Sequence, residues 1–492
     1  MAHAHQLTRT SDPSWSRRSR FAPALVFISA FLISLVYGLW RALPSGAATL
    51  FYGLPADSRI AALLPRLGLS DSGSYLWAAV DLQDGVMSNA YIWVLNLWPP
   101  GIPYVLATLI KIGEGDSPVI GMVIVICTLW ATVFATLATI LVPRGGYLIT
   151  AIFSVFWFVS PIFTAWTIRD GILGSDGLAT AVGTLVAIGL VTATRPSLGM
   201  RARFVLFGAL GVGLAALAYL RILWFYTVPL ALGALLVVAL LALGVALIRG
   251  HLSSLRRHRA GIGQWAVLGA IFIGLCTPWT IYVATTLHPG NPSWSMGDYQ
   301  WAQLWQPTET LEAAGAGFLV AGGGNWPCEL APQRCAQIND AETATAAPYG
   351  GSEGMTFSEF RQEALLVAVT KPLDFIVDRV GVTLRSWLSV PGASVGTFGN
   401  IGFGLMTLAG FGLAVGILIV LGVRRHSTAI FLLMIFAVNV GVIWLTHFET
   451  RYLVPLQAMS LVVLAISALP LEQRLWSKFR RAGRRTASTP SE

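Results

Sequence analysis

The sequence predicts an all-α polytopic membrane protein, a bundle of about ten transmembrane helices. Of the 492 residues, 55% are hydrophobic and only 11% are charged, whereas a typical soluble domain carries about 25% charged residues. This composition excludes a soluble enzyme, a disordered chain and a nucleic-acid-binding protein. The net charge of +9 does not indicate a nucleic-acid partner, because Lys and Arg concentrate in the cytoplasmic loops of membrane proteins.

Ten uncharged segments have the length needed to cross a lipid bilayer, which is about 20 mostly apolar residues per helix. The predicted spans are 21–40, 117–143, 145–168, 177–194, 204–220, 222–248, 260–287, 400–423, 427–446 and 452–471. The first span follows Arg17, Arg18 and Arg20, so we expect its N-terminus to be cytoplasmic. Its apolar stretch is longer than a usual signal-peptide core, which favours a retained anchor.

Segment 86–110 is also uncharged, but the residues WPPG at 98–101 interrupt it and leave a short apolar helix at 102–110. If this segment does not cross, a clear majority of the 32 Lys and Arg residues are cytoplasmic; if it crosses, fewer than half are. The positive-inside rule therefore favours a re-entrant or interfacial helix and two cytoplasmic termini.

This topology divides the chain into five parts. They are a basic cytoplasmic tail at 1–20, a transmembrane catalytic module at 21–286 that includes a first outer loop at 41–116, a large outer loop at 287–399, C-terminal transmembrane helices at 400–471, and a basic cytoplasmic tail at 472–492. The spans show no convincing internal repeat of the kind typical of transporters. Since both large loops are predicted on the outer face, we expect the function there.

The four cysteines are too few for a disulfide scaffold or a zinc cluster. Cys328 and Cys335 lie in the second outer loop, where an oxidising compartment favours a disulfide; the alternative is two free thiols. Cys127 and Cys276 lie in apolar spans and are interpreted as core packing. The sequence has no acidic cluster or His/Cys spacing typical of a strong metal site, so it predicts neither a metal nor another cofactor.

The first outer loop contains the residues SDSGSY at 70–75, followed by WPPG at 98–101. This pair of motifs resembles the GT-C glycosyltransferases, specifically the protein O-mannosyltransferase and aminoarabinose transferase group. In that group an acidic pair and a Tyr precede a Pro-Pro that opens a juxtamembrane helix. Asp71 matches the first acid, while Ser72 replaces the second and Trp98 replaces a common His.

Three later motifs continue the resemblance in the same order along most of the chain. They are SDGL at 175–178, CTPW at 276–279 and HFETRYLVP at 447–455. The resemblance implies a GT-C-like bundle in a bacterial cytoplasmic membrane, with juxtamembrane helices and the site on the periplasmic or external face. It also implies a polyprenyl-phosphate-linked sugar as donor and a hydroxyl on a lipid, glycan or protein as acceptor. The large outer loop has no recognisable counterpart in the family.

Sugar transfer from such a donor needs a base near the acceptor hydroxyl and cations near the departing phosphate. Asp71 is the predicted base, and Asp176, at the mouth of a span, is a second catalytic carboxylate. Each of them could instead cap the helix that follows it. Substrate-binding roles are assigned to Tyr75, His447 and Tyr452.

Arg221 is the most informative cation, because it lies between two apolar runs with almost no polar loop around it. An ionisable group so placed is expensive and is typical of a functional site. We expect it to bind the donor phosphate together with Arg451 and Arg169, since the guanidinium fork can take two phosphate oxygens. The alternative is that Arg221 only extends its charge to the lipid headgroups.

Two other classes remain open: a transporter or flippase of lipid-linked saccharides, and a ligase or polymerase of preassembled glycans. A transporter is expected to carry ionisable groups near the middle of several spans, whereas the charges here lie almost entirely at span ends. A ligase or polymerase would share the outer arginines. Its separation from a glycosyltransferase rests on the two motifs of the first outer loop.

Overall fold

The structure is a computed structural model of the whole chain. The residues it describes are 13–42, 70–84, 99–112, 117–160, 175–193, 198–248, 254–287, 396–423, 426–445 and 453–487, with single positions between 369 and 387. These ranges are almost entirely helical and contain no β-strand.

Twelve α-helices are described, and we number them in chain order. They are α1 (Pro13–Ala42), α2 (Ser70–Asp84), α3 (Gly101–Ile112), α4 (Ser117–Leu141), α5 (Tyr147–Val159), α6 (Ser175–Ala193), α7 (Met200–Leu220), α8 (Leu223–Ile248), α9 (Ser254–Tyr282), α10 (Gly396–Val423), α11 (Ser427–Leu445) and α12 (Val454–Ala487). A 3₁₀ turn, Val142–Arg144, joins α4 to α5, and a π-helical turn, Val283–Leu287, follows α9.

Eight of the described helices are long and apolar enough to span a bilayer: α1, α4, α6, α7, α8, α9, α10 and α12. The chain is therefore a helical, multi-pass membrane protein. The predicted spans 145–168 and 427–446 coincide with shorter apolar helices, Tyr147–Phe158 and Ser427–Gly441. The first of these stops early because Ser160, with ψ 118°, is already extended, as expected for a residue that precedes a proline.

Neighbouring helices in the first half of the bundle have clear directions. Helices α6 and α7 are antiparallel, because Gly189 lies against Leu210 while Ser175, at the start of α6, contacts Arg221, just after α7. Helices α7 and α9 are parallel, because Gly211 packs on the Leu268 backbone and Tyr219 further along donates a hydrogen bond to the Leu275 carbonyl at 2.9 Å. Helix α6 therefore begins at the end of the bundle where α7 and α9 finish.

The C-terminal helices follow the same arrangement. Helices α10 and α12 are parallel, since Gln457 donates a hydrogen bond to Thr407 at 3.5 Å and Leu464 contacts Gly410. After α10, Ser427 opens α11 and accepts a hydrogen bond at 3.1 Å from Trp265, in the first half of α9. Helix α10 thus finishes where α9 begins, so α12 begins at the opposite end of the bundle. We call the end where α6 and α12 begin the Arg221 end, and the opposite end, towards which α12 runs, the Glu472 end.

Helix α3 lies across the Arg221 end instead of passing through the bundle. Its first residue, Gly101, packs so closely on the Tyr219 carbonyl that no side-chain carbon fits there, and Leu109 contacts Gly121 near the start of α4. Helix α4 finishes at the other end, where Gly146, five residues after it, contacts Leu469 of α12. With 12 residues, α3 is about 18 Å long, against a hydrocarbon core of about 30 Å. This geometry is the one expected of an interfacial helix.

Candidate functional site

The connection between α7 and α8 consists of Arg221 and Ile222 alone. The Arg221 backbone leaves the helix with φ −144° and ψ 120°. Its N–H still donates to the Leu217 carbonyl at 2.7 Å, and its carbonyl accepts from the Trp224 N–H at 3.1 Å. Because the break is so short and both sides are hydrogen-bonded, the Arg221 side chain has a fixed origin at the junction of two apolar helices.

Arg221 forms an ion pair with Asp176 at the start of α6. The Nη2 atom of the guanidinium contacts the Asp176 Oδ1 atom, and its Nε–H donates to the Ser175 hydroxyl at 3.3 Å. The Asp176 side chain is only 4% exposed, whereas that of Arg221 is 15% exposed. The carboxylate is therefore enclosed, whereas part of the Arg221 side chain remains accessible.

The sequence of α6 explains why a carboxylate is stable in this position. Asp176 lies in the first turn, where a negative charge is stabilised by the helix dipole. Its carbonyl accepts a hydrogen bond at 2.6 Å from the Thr180 hydroxyl. One face of α6 is kept small at Gly183, where a side-chain carbon would come within 2.7 Å of the Met459 methyl group. Helix α12 can therefore pack closely against the helix that carries Asp176.

The Pro-Pro motif lies beside the same helix break. Pro99 and Pro100 are buried, and the Gly101 that follows them packs on the backbone of Tyr219 and Leu220. Helix α3 thus starts against the residue that precedes Arg221. The start of α3, the start of α6 and the break after α7 meet at one end, and each helix start directs partial positive charge there.

Helix α2 carries the predicted base and packs on α3. Tyr75 is 3% exposed and Leu76 is 1% exposed, and both belong to the core cluster that includes Ile102 and Leu106 of α3. Asp71 occupies the first turn of α2, and its side chain lies outside the described part of the structure. Helix α2 therefore packs on α3, and the role of Asp71 stays a prediction.

The remaining predicted site residues lie outside the described ranges. They are Arg169, His447, Arg451, Tyr452, Cys328 and Cys335. Leu453, which directly follows the predicted Arg-Tyr pair, and Val454, which begins α12, are both fully buried. Cys127 and Cys276 are buried free thiols. Within the described residues no group of three His, Cys, Asp or Glu side chains could hold a metal ion.

Sequence reasoning selected Asp176 and Arg221 separately, for different roles, and missed that they pair with each other. It also missed Ser175 as a hydrogen-bond partner of the guanidinium. A signal was present in the topology, because α6 was predicted to begin on the face where α7 finishes. Two opposite charges at adjacent helix ends, each with apolar surroundings, are expected to pair.

The cluster offers three groups that can attract an anion. It contains a guanidinium that a buried carboxylate orients and that is partly exposed, next to two helix starts. In comparisons with known proteins, no family model, curated protein or solved structure matched this chain.

Proposed function

We propose that the protein is a membrane glycosyltransferase that moves a sugar from a polyprenyl-phosphate donor to an acceptor hydroxyl. The reaction would take place on the outer face of a bacterial cytoplasmic membrane, with both termini in the cytoplasm. The observation that carries the proposal is the Asp176–Arg221 pair at a helix break, beside the helix that follows Pro99 and Pro100.

Arg221 is suited to the donor phosphate by its position and its chemistry. It lies at the end of two apolar helices, the level at which the phosphate of a membrane-embedded lipid is expected. Arginine can offer two parallel N–H donors to phosphate oxygens, and 15% of this side chain is accessible. The pairing with Asp176 fixes the side chain in advance, which lowers the entropic cost of ordering it upon donor binding.

The same geometry changes the role that we propose for Asp176. The Asp176 carboxylate is enclosed and in contact with the Arg221 guanidinium, so an acceptor hydroxyl has little access to it. We assign Asp176 the positioning of Arg221, and Asp71 the removal of the acceptor proton. The acceptor oxygen then attacks the anomeric carbon, and the bond from that carbon to the phosphate oxygen breaks. The polyprenyl phosphate leaves with the electron pair, and the Arg221 charge stabilises it.

The other predicted residues have supporting roles in this proposal. Arg451 and Arg169 add positive charge around the phosphate, and Tyr75, His447 and Tyr452 contact the substrates. The acceptor is a lipid, a glycan or a protein. No metal or other cofactor takes part in the proposed steps.

The polar contacts inside the described spans argue for an enzyme over an ion-coupled transporter or flippase. Asp176 and Glu472 lie towards span ends, whereas two contacts between spans join neutral side chains: Asn439 donates to Thr227, and Gln457 donates to Thr407, each at 3.5 Å. A pathway for coupled protons or ions is expected to contain ionisable groups at this depth. The motifs at 70–75 and 98–101 favour a monosaccharide transferase over a ligase or polymerase.

The proposal can be tested by incubating the purified protein with a panel of radiolabelled polyprenyl-phosphate sugars and membrane extract. We expect transfer from at least one donor, and we expect it to fall in Arg221→Lys. Arg201→Lys is the matched control, because Arg201 is exposed at the Glu472 end of the bundle, and it should leave transfer unchanged. Absence of transfer from the whole panel, or equal transfer by both variants, would contradict the proposal.

A further inference from the structure

Helix α12 is longer than a bilayer requires. It runs without interruption from Val454 to Ala487, 34 residues, which corresponds to about 51 Å. A hydrocarbon core of about 30 Å accommodates only about 20 of these residues. The apolar part is Val454–Ser477, so the last turns of the helix extend beyond the hydrocarbon at the Glu472 end.

Glu472 fixes the point at which this extension leaves the bundle. Its side chain is 3% exposed and accepts the backbone N–H groups of Leu148 and Ile149 at 2.9 and 3.1 Å. It also accepts the indole N–H of Trp476 at 3.2 Å. The next residue, Gln473, donates to the Arg144 carbonyl at 2.9 Å. Helix α12 is thus bound to the start of α5, and its one carboxylate is enclosed by neutral donors.

The extension carries two adjacent stripes along its helical surface. Positions i, i+4, i+7 and i+11 from Arg474 are all basic: Arg474, Lys478, Arg481 and Arg485. Positions i, i+4, i+8 and i+11 from Leu471 are apolar: Leu471, Leu475, Phe479 and Ala482. Residues with this spacing share one face of a helix. At the start of the two stripes, Leu471 is 61% exposed, Leu475 is 45% exposed, and Arg474 is exposed as well.

Other segments at the Glu472 end add to the positive charge. Basic residues there include Arg144, Arg201, Arg203, Arg256, Arg257 and Arg259. In the described parts of those segments, Glu472 is the only carboxylate. Because Glu472 is buried, helix α12 offers no exposed carboxylate to its own basic stripe.

We propose that this face of α12 binds the anionic phospholipid headgroups of the leaflet at the Glu472 end. An apolar stripe beside a basic one, starting at the level where the span leaves the hydrocarbon, is the pattern of an interfacial anionic-lipid site. Arg474 lies in the first turn beyond the core and contacts the lipid phosphates, and position 478 continues the same basic face of the helix. Leu471 and Leu475 contact the adjoining acyl chains. The site is independent of the proposed glycosyltransferase activity.

The test is lipid binding to the full-length protein in a neutral detergent, with phosphatidylglycerol or phosphatidylcholine added and bound lipid counted by native mass spectrometry. We expect phosphatidylglycerol to bind more tightly, and high salt to reduce the difference. Arg474→Gln with Lys478→Gln should weaken phosphatidylglycerol binding about 30-fold, since each basic residue near a lipid surface contributes roughly a fivefold effect. Arg480→Gln with Arg484→Gln removes two charges outside the stripe and should have a clearly smaller effect.

Equal binding of the two lipids by the parent protein would overturn the proposal, and this comparison does not depend on any variant folding. Equal losses in the two double variants would also overturn it, because they would show a response to total charge instead of a site. Sugar transfer is not the readout, so a failure of the proposed function leaves this test intact.

Discussion

Asp176 and Glu472 are buried carboxylates at opposite ends of the same bundle, and each is the partner of a different kind of group. Glu472 accepts two backbone N–H groups and an indole N–H, so it joins α12 to α5. Asp176 contacts a guanidinium whose side chain is 15% exposed at a helix break. The first arrangement satisfies hydrogen-bonding groups within the fold, while the second orients a guanidinium on a side chain that stays partly accessible.

The difference matters because charge at the end of an apolar helix is expensive to keep. A buried ion pair often adds little net stability compared with apolar side chains of similar volume. A contact such as that of Glu472 is explained by the helix start it satisfies. In the proposed function the Asp176–Arg221 pair is kept for the donor phosphate, so the two ends are expected to respond differently to substitution.

The largest expected effect is at the Arg221 end, in Asp71→Asn. General-base assistance typically contributes about 10²–10⁴-fold to a rate, so turnover should fall by that order while donor binding persists. If Asp71 only caps α2, Asn should be almost silent, because Asn caps a helix nearly as well as Asp, and Ala should reduce stability instead. Steady-state transfer kinetics and thermal unfolding of Asp71→Asn and Asp71→Ala distinguish these outcomes.

The next effect concerns the pairing itself and is measured with a double-mutant cycle. Asp176→Asn and Arg221→Gln should each weaken donor affinity, and the double variant should be little worse than Arg221→Gln alone. The expected coupling energy is about 0.5–3 kcal/mol, the usual range for residues in direct contact. Additive losses would show that Asp176 acts independently of Arg221, and would return Asp176 to the role of a catalytic carboxylate.

The smallest effect on activity is expected at the other end, in Glu472→Gln. Gln keeps one acceptor oxygen but loses the charge at the start of α5, so the free energy of unfolding should fall by about 1–2 kcal/mol. Donor affinity should not change, because Glu472 lies at the far end of the bundle. Thermal unfolding in detergent and a donor-binding assay on the same sample measure both quantities. A large loss of donor affinity in Glu472→Gln, with unchanged stability, would contradict the view that only the Arg221 end contributes to donor binding.

Sequence reasoning predicted the helical membrane class because composition and apolar run length determine it almost alone. It also predicted a short helix at 102–110, because Pro99 and Pro100 can only begin a helix and not continue one. Its helix starts were less accurate: α9 begins at Ser254, six residues before the predicted span, because charged residues can continue a helix beyond the bilayer. The length of an apolar run indicates how much of a helix lies in the hydrocarbon core, and it does not indicate where the helix begins or ends.

The site was predicted as single residues and not as an arrangement. The isolation of Arg221 in an apolar sequence marked it as unusual, and the resemblance marked Asp176. Their contact depends on the antiparallel packing of α6 and α7, which Gly189 and Leu210 determine through shape. Local sequence does not encode such packing. Glu472 was interpreted only as part of a basic tail, because two of its partners are backbone N–H groups more than 300 residues away in the sequence.

If Arg221, held by Asp176, binds the phosphate of a lipid donor, the protein should prefer a polyprenyl lipid with a phosphate over the same lipid without one. The affinities of the parent protein and of Arg221→Lys are measured for a polyprenyl phosphate and for the same polyprenol without phosphate. Hydrogen bonds to charged groups contribute about 1.5–3 kcal/mol, so the parent should prefer the phosphate and Arg221→Lys should lose about tenfold to a hundredfold of that preference. Unchanged selectivity in Arg221→Lys, with normal folding, would contradict the claim.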